Sequence, residues 1–255
     1  MALMHNKVED FKERIKEKAE KLVTENFPKK VLEMDKLLNS PEFTERDFKK
    51  IHYIMNIPVP THQNGVIDKI VNGIPIINKK RKTIENENLT DQIISYDEDK
   101  KVMLFPNGMF PSNQNIIKLF EILKPYMCEM VEDTNLVKMW ILFMIPRIED
   151  GNNFGVSIQE ETLAEVRLVE TESASYLEQI SRYYLTRAKL VSKIAKYPNI
   201  EDYQRSVLEL DEKQYLTIKL ICAELRNNYS SLHDLILKNI EKLKKPKTNN
   251  MESLY

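Results

Sequence analysis

Four histidines, two cysteines and a few paired carboxylates are the side chains in this sequence best suited to carry chemistry. His5, His52, His62 and His233 are scattered. None shares the His-x-x-x-His spacing that would put two imidazoles on one helical face for a metal. Cys128 and Cys222 lie far apart on segments that read as helices, with no metal-ligand spacing and no disulfide framework. They are expected to be buried free thiols in a reducing compartment. Glu149-Asp150 and Glu160-Glu161 fall where helices start, and the helix dipole alone accounts for acid there. Neither GxxxxGK[ST] nor GxGxxG occurs, and no serine sits in a nucleophile elbow. The residues point to no catalytic centre, no cofactor and no metal site.

The elements around them are more informative. Charged residues make up 30% of the 255, with a formal net charge of −1, which disfavours a general nucleic-acid binder. Five glycines against abundant Leu, Ile, Lys and Glu make a helix-forming composition. Met1–His5 runs straight into charged residues, and the apolar run 136–145 is too short to span a bilayer. A soluble intracellular protein is expected, with no membrane partner.

Val8, Phe11, Ile15, Ala19 and Leu22 recur at spacings of three and four, and Val31, Met34 and Leu38 continue the pattern past Pro28. This predicts a kinked or two-part first helix, with a weaker helix over 44–55. Ser112 is the expected cap of a second helix carrying Ile116, Leu119, Leu123 and Met127, with a kink at Pro125. Its end, 136–145, is apolar on nearly every side, so burial all round and a subunit interface are expected. A third helix is read over 157–197, ending before Pro198, and a fourth over 201–245, ending before Pro246.

Between the second and third helices, Pro146 stops one helix and Asp150-Gly151-Asn152-Asn153 supplies a dense run of turn formers. Gly151 and Gly155 can take positive φ there at little cost. Ser157-Ile158-Gln159-Glu160 reads as a capping box opening the next helix. The stretch is either an ordinary connector or a fixed surface offered to a partner. Residues 57–101 break every period with Pro and Gly and carry the basic run Lys79-Lys80-Arg81-Lys82. That run is a solvated charge cluster or a nuclear import signal. The fold class is therefore all-α: an elongated antiparallel four-helix bundle with a long flexible insert between helices 1 and 2. Residues 1–56 form the first helical region, 57–101 the linker, 102–245 the remaining helices with the loop 146–156, and 246–255 a polar tail.

Several runs are specific. Met139-Trp140, the stretch Ile145-Pro146-Arg147-Ile148-Glu149-Asp150-Gly151-Asn152-Asn153-Phe154-Gly155-Val156, then Gln179-Ile180-Ser181-Arg182-Tyr183-Tyr184 and the run 187–198 resemble the 11S (REG/PA28) proteasome activator family, and most nearly its gamma type. Phe27-Pro28-Lys29-Lys30 and Pro106-Asn107-Gly108-Met109 extend the likeness, which leaves out 61–101. The resemblance implies an ATP-independent homoheptameric ring of four-helix protomers that passes peptides through a channel and caps the 20S core particle. It implies that Ser253-Leu254-Tyr255 dock between α subunits of the core. It also implies that the activation loop, Glu149, Asp150, Gly151, Asn152, Asn153, Phe154 and Gly155, opens the gate, and that Lys189 faces the channel. Lys79, Lys80, Arg81 and Lys82 fall where the gamma type has a nuclear-directing run, so nucleus and cytoplasm are both expected locations. The alternative is a helical nuclear scaffold that binds proteins or nucleic acid through the basic insert.

Overall fold

The computed structural model describes residues 2–52, 110–147 and 154–247. Within these the chain is helical, with no strand. The first arm is α1 (Ala2–Lys21), a π-helical turn (Leu22–Asn26) and α2 (Phe27–Leu38). The expected two-part helix is present, and the cause of its division is local. Pro28 has no N–H to give to the fourth carbonyl before it, and the turn ahead of it widens so that Phe27 N–H reaches Leu22 O.

The helix expected over 44–55 is replaced by shorter pieces, α3 (Pro41–Thr44) and a 3₁₀ turn (Phe48–Lys50). Side chains compete with the helix here. The Glu45 carboxylate accepts from Arg46 N and Asp47 N, both at 2.9 Å, and Asp47 accepts from Lys49 N at 3.1 Å. Residues 53–55 lie outside the described residues, as does the insert.

The second helix, α4 (Gln114–Met144), is capped by Asn113 rather than Ser112. Asn113 Oδ1 accepts from Asn115 N at 3.0 Å and Ile116 N at 3.3 Å. Pro125 is carried inside α4, on its exposed side beside exposed Glu121, where water can take the carbonyl the proline leaves unpaired. The run 136–145 is not buried on all sides within one chain. Val137, Trp140 and Ile141 are in the core, while Met139 and Phe143 stay half-exposed.

The third helix, α5 (Phe154–Lys196), includes the three described residues before the expected cap, so Ser157 sits inside its first turns rather than at its cap. The fourth is broken by Asn239 into α6 (Glu201–Lys238) and α7 (Ile240–Lys244). At φ −108°, ψ 8°, Asn239 turns its own amide back to Leu235 O at 2.9 Å, and the long helix stops there.

The four arms run antiparallel around one core that includes Phe27, Met34, Met127, Trp140, Leu225 and Tyr229. Phe27 meets the Tyr229 ring edge-on at 5.1 Å. One end of the bundle is held by a buried polar centre. Asp211, 2% exposed, accepts from Tyr183 Oη at 2.8 Å, Arg187 Nε at 3.1 Å and Asn113 Nδ2 at 2.8 Å. Asn113 Nδ2 also reaches Ile51 O at 3.0 Å, and Arg187 Nη1 reaches Pro111 O at 3.2 Å. The two points where the described chain leaves and rejoins the bundle are thus held together through one buried carboxylate.

Candidate functional site

The activation-loop residues Glu149, Asp150, Gly151, Asn152 and Asn153 lie outside the described residues. So do the tail residues Ser253, Leu254 and Tyr255 and the basic run Lys79, Lys80, Arg81 and Lys82. The roots of loop and tail are described, and they meet at the end of the bundle opposite Asp211.

The meeting point is Gln159, in the second turn of α5 and fully buried. Its Nε2 donates to Met144 O, the last residue of α4, at 3.0 Å and to Leu243 O, in the only turn of α7, at 2.7 Å. Helices end with carbonyls that have no partner in their own ladder. A single amide group satisfies one such carbonyl from each of two helices. Because both neighbours are carbonyl oxygens, the orientation of the amide is set by chemistry: only the NH2 side can face them. Among the described residues Gln159 Oε1 is buried without a partner.

Gly155 supplies the second contact. It is helical, within the first turn of α5, so it serves no positive-φ turn here, contrary to the expectation. What it provides is room. A Cβ at this position would lie 2.1 Å from Pro246 O and 2.6 Å from Pro246 C and Cα. The backbone that leaves the loop therefore lies directly on the backbone that enters the tail, and Pro246 itself is buried. Lys244, between them in sequence, pairs with Glu20, which ties α7 to the first arm. Phe154, the loop residue beside Gly155, is 67% exposed.

Lys189 is exposed on α5, about 50 Å along the helix from the loop root at 1.5 Å per residue. The structure does not bring it to the described roots of loop and tail. Periodicity did not single out Gln159 or Pro246, although one signal was present. Gln159 begins the stripe Gln159, Thr162, Leu163, Val166 and Val169, all buried. A glutamine on such a face has to find partners.

Elsewhere the titratable groups are structural. Tyr229 Oη donates to Asp133 at 2.9 Å, and burial pushes the Asp133 carboxyl up to about 6 despite that bond. Burial likewise pushes the Cys222 thiol up to about 12. Cys222 is buried as expected, whereas Cys128 is half-buried, and both are free thiols. Among the described residues no group of three or more His, Cys, Asp or Glu is placed to hold a metal, and no helix is long and apolar enough to cross a membrane.

Comparison with known proteins places this geometry. Residues 109–253 match the family profile "Proteasome activator PA28, C-terminal", and residues 4–62 match its N-terminal counterpart. The chain is 53% identical over 249 residues to proteasome activator complex subunit 3 of Gallus gallus, covering 98% of this chain and 95% of that one. It is 52% identical over 254 residues to the same-named protein of Homo sapiens, with the same coverage. Among solved structures, the 11S subunit of the Plasmodium falciparum proteasome, PA28, superposes with a TM-score of 0.70 at 30% identity, over 97% of this chain and 96% of that one. The PA26 activator seen with an archaeal 20S proteasome has a TM-score of 0.51 at 16% identity, over 57% of this chain and 73% of that one. That second likeness shows the fold alone.

Proposed function

This chain belongs to the PA28 family of proteasome activators, and from that premise we propose that it is a non-catalytic, ATP-independent activator that docks on the 20S core particle and opens its gate. The observation that carries the reading is the shared root of loop and tail: Gln159 between Met144 O and Leu243 O, with Gly155 on Pro246. A tail that docks and a loop that pushes must face the same partner, and here both leave the bundle from one joint.

Residues Ser253, Leu254 and Tyr255 form the docking end, and Glu149 to Gly155 the part that acts on the gate, with Asn152 at its centre. One flexible tail binds weakly because ordering it costs entropy. A homoheptameric ring presents several tails at once and raises their effective concentration. Exposed Leu168, Leu185, Leu216 and Leu220 on α5 and α6, with half-exposed Met139 and Phe143, supply apolar surface for ring neighbours. Lys189 faces the channel and biases which peptides pass. The Lys79–Lys82 run directs part of the protein to the nucleus; a fluorescent fusion that stayed nuclear with all four replaced by alanine would overturn this.

The principal test is hydrolysis of short fluorogenic peptides by latent 20S core without ATP. The protein should raise the rate several-fold, and removing Tyr255 should abolish the rise while native mass spectrometry still shows the ring. Asn152→Tyr should keep binding and lose stimulation. No stimulation by intact rings of a core to which they demonstrably bind would overturn the reading.

A further inference from the structure

We infer that Gln159 is the positioning residue that couples the tail to the loop: it makes their two roots one rigid body, so that docking of the tail fixes where the loop stands on the core. The inference rests on the activator reading above and adds the residue through which its two working segments are joined.

Three observations carry it. Gln159 is the only side chain among the described hydrogen bonds that reaches both the residue ending α4 and the turn leading into the tail, at 3.0 and 2.7 Å. Its Oε1 is buried and has no partner among the described residues. That unpaired acceptor lowers stability, but an apolar residue of the same size would leave both carbonyls that Nε2 satisfies unpaired instead. What the glutamine provides is therefore a tie between two separate carbonyls, one from each root. Finally, Gly155 lets the first turn of α5 lie on Pro246 with no side chain between, so the joint is held by backbone contact as well as by the amide.

The joint is also far from the buried charge centre of the fold. Arg187 and the Asp211 centre sit 28 residues further along α5, about 42 Å away at 1.5 Å per residue. Loosening the joint should therefore leave the bundle intact. Without it, each tail still enters its pocket, but the loop is no longer held in a fixed place relative to that anchor. The signature is a split: the maximal stimulated rate falls while the half-activating concentration holds.

Gln159→Met removes both donors at nearly constant volume and also removes the unpaired acceptor. The assay titrates wild-type and variant rings into latent 20S core and reads maximal peptidase rate, half-activating concentration and melting temperature. We expect the maximal rate to drop about thirtyfold, the scale of the two hydrogen bonds lost, with half-activation within about twofold and melting within a few degrees. Gly155→Ala attacks the same joint from its other side, forcing the Pro246 backbone away while leaving the Gln159 amide in place. It should give the same split, and the double variant should be no worse than the poorer single one, because both open one joint.

A full maximal rate for Gln159→Met, or a loss seen only as a raised half-activating concentration with lowered melting, would overturn the inference. Should Gln159→Met fail to form rings, Gln159→Asn, whose shorter side chain cannot reach both carbonyls, decides by the same criteria. Failure of the wild-type ring to stimulate the core at all would instead overturn the activator reading.

Discussion

Arg187→Met is the sharpest probe of the bundle's own stability. Arg187 and Asp211 are 7% and 2% exposed, and the guanidinium lies 3.1 Å from the carboxylate. Removing the cation leaves a buried carboxylate held only by Tyr183 Oη and Asn113 Nδ2. Breaking a buried pair from one side costs roughly 3–5 kcal/mol, because the remaining charge stays desolvated. The bond to Pro111 O is lost as well, worth about 1 kcal/mol. For a chain of this size each kcal/mol moves the midpoint by about 2–4 °C, so the drop should be of order 10 °C. Thermal unfolding followed by far-ultraviolet circular dichroism reads it, at one fixed protomer concentration because assembly shifts the midpoint. Arg187→Met with Asp211→Asn removes both charges and keeps an oxygen for Tyr183, and it should recover at least half the loss. A drop of less than about 3 °C for the single variant, or no recovery in the double, would refute the account of this centre as a charge pair whose members need each other.

Three further outcomes follow from the same geometry. Asp133 has a folded pKa of about 6, raised by burial, so its contribution to stability is full below the unfolded carboxyl value and is lost as pH rises through 6. Asp133→Asn, which keeps an acceptor for Tyr229, should flatten that part of the midpoint-against-pH curve between pH 4 and 7; an unchanged slope counts against it. Cys222, buried and pushed up to about 12, should resist iodoacetamide at pH 8 until denaturant is added, while half-buried Cys128 is alkylated first, read by peptide mass spectrometry. Asn113→Ala removes the cap of α4 and a donor to both Asp211 and Ile51, so it should cost ~2 kcal/mol or more in denaturant unfolding, whereas Ser112→Ala should cost under about 0.5.

The helices were legible because their apolar stripes repeat every three or four residues over many turns, and a long signal survives local error. Their ends were less so. Ser112 and Asn113 are adjacent and both good caps, and sequence alone did not show that Asn113 also has Asp211 to bind. Ser157 reads as a cap from its neighbours. Yet α5 gains three more residues at its start, where Gly155 seats on Pro246, a contact between positions 91 residues apart. The same long reach hides Gln159 and Asp211. Their roles come from carbonyls and donors on other arms, and nothing local distinguishes a glutamine that bridges two helices from one that faces water. The specific loop and tail runs were readable as a family pattern without any of this. That pattern names the parts but leaves open the joint that holds them.

Asn113, Arg187 and Asp211 have a consequence for what this protein can accommodate. Because Ile51 O and Pro111 O are tied to one buried centre, the stretch between them begins and ends at almost the same place. Lengthening a loop whose ends are already closed costs only about 0.6 kcal/mol per doubling. Sequence added or removed there therefore changes little that the bundle registers, and the joint at Gln159, some 40 Å away along α5, registers still less. The described bundle thus has two tied ends, the Asp211 centre where a long stretch leaves and returns and the joint at Gln159. A reporter or affinity tag is better carried near the first end, because extra chain between closed ends costs the bundle little.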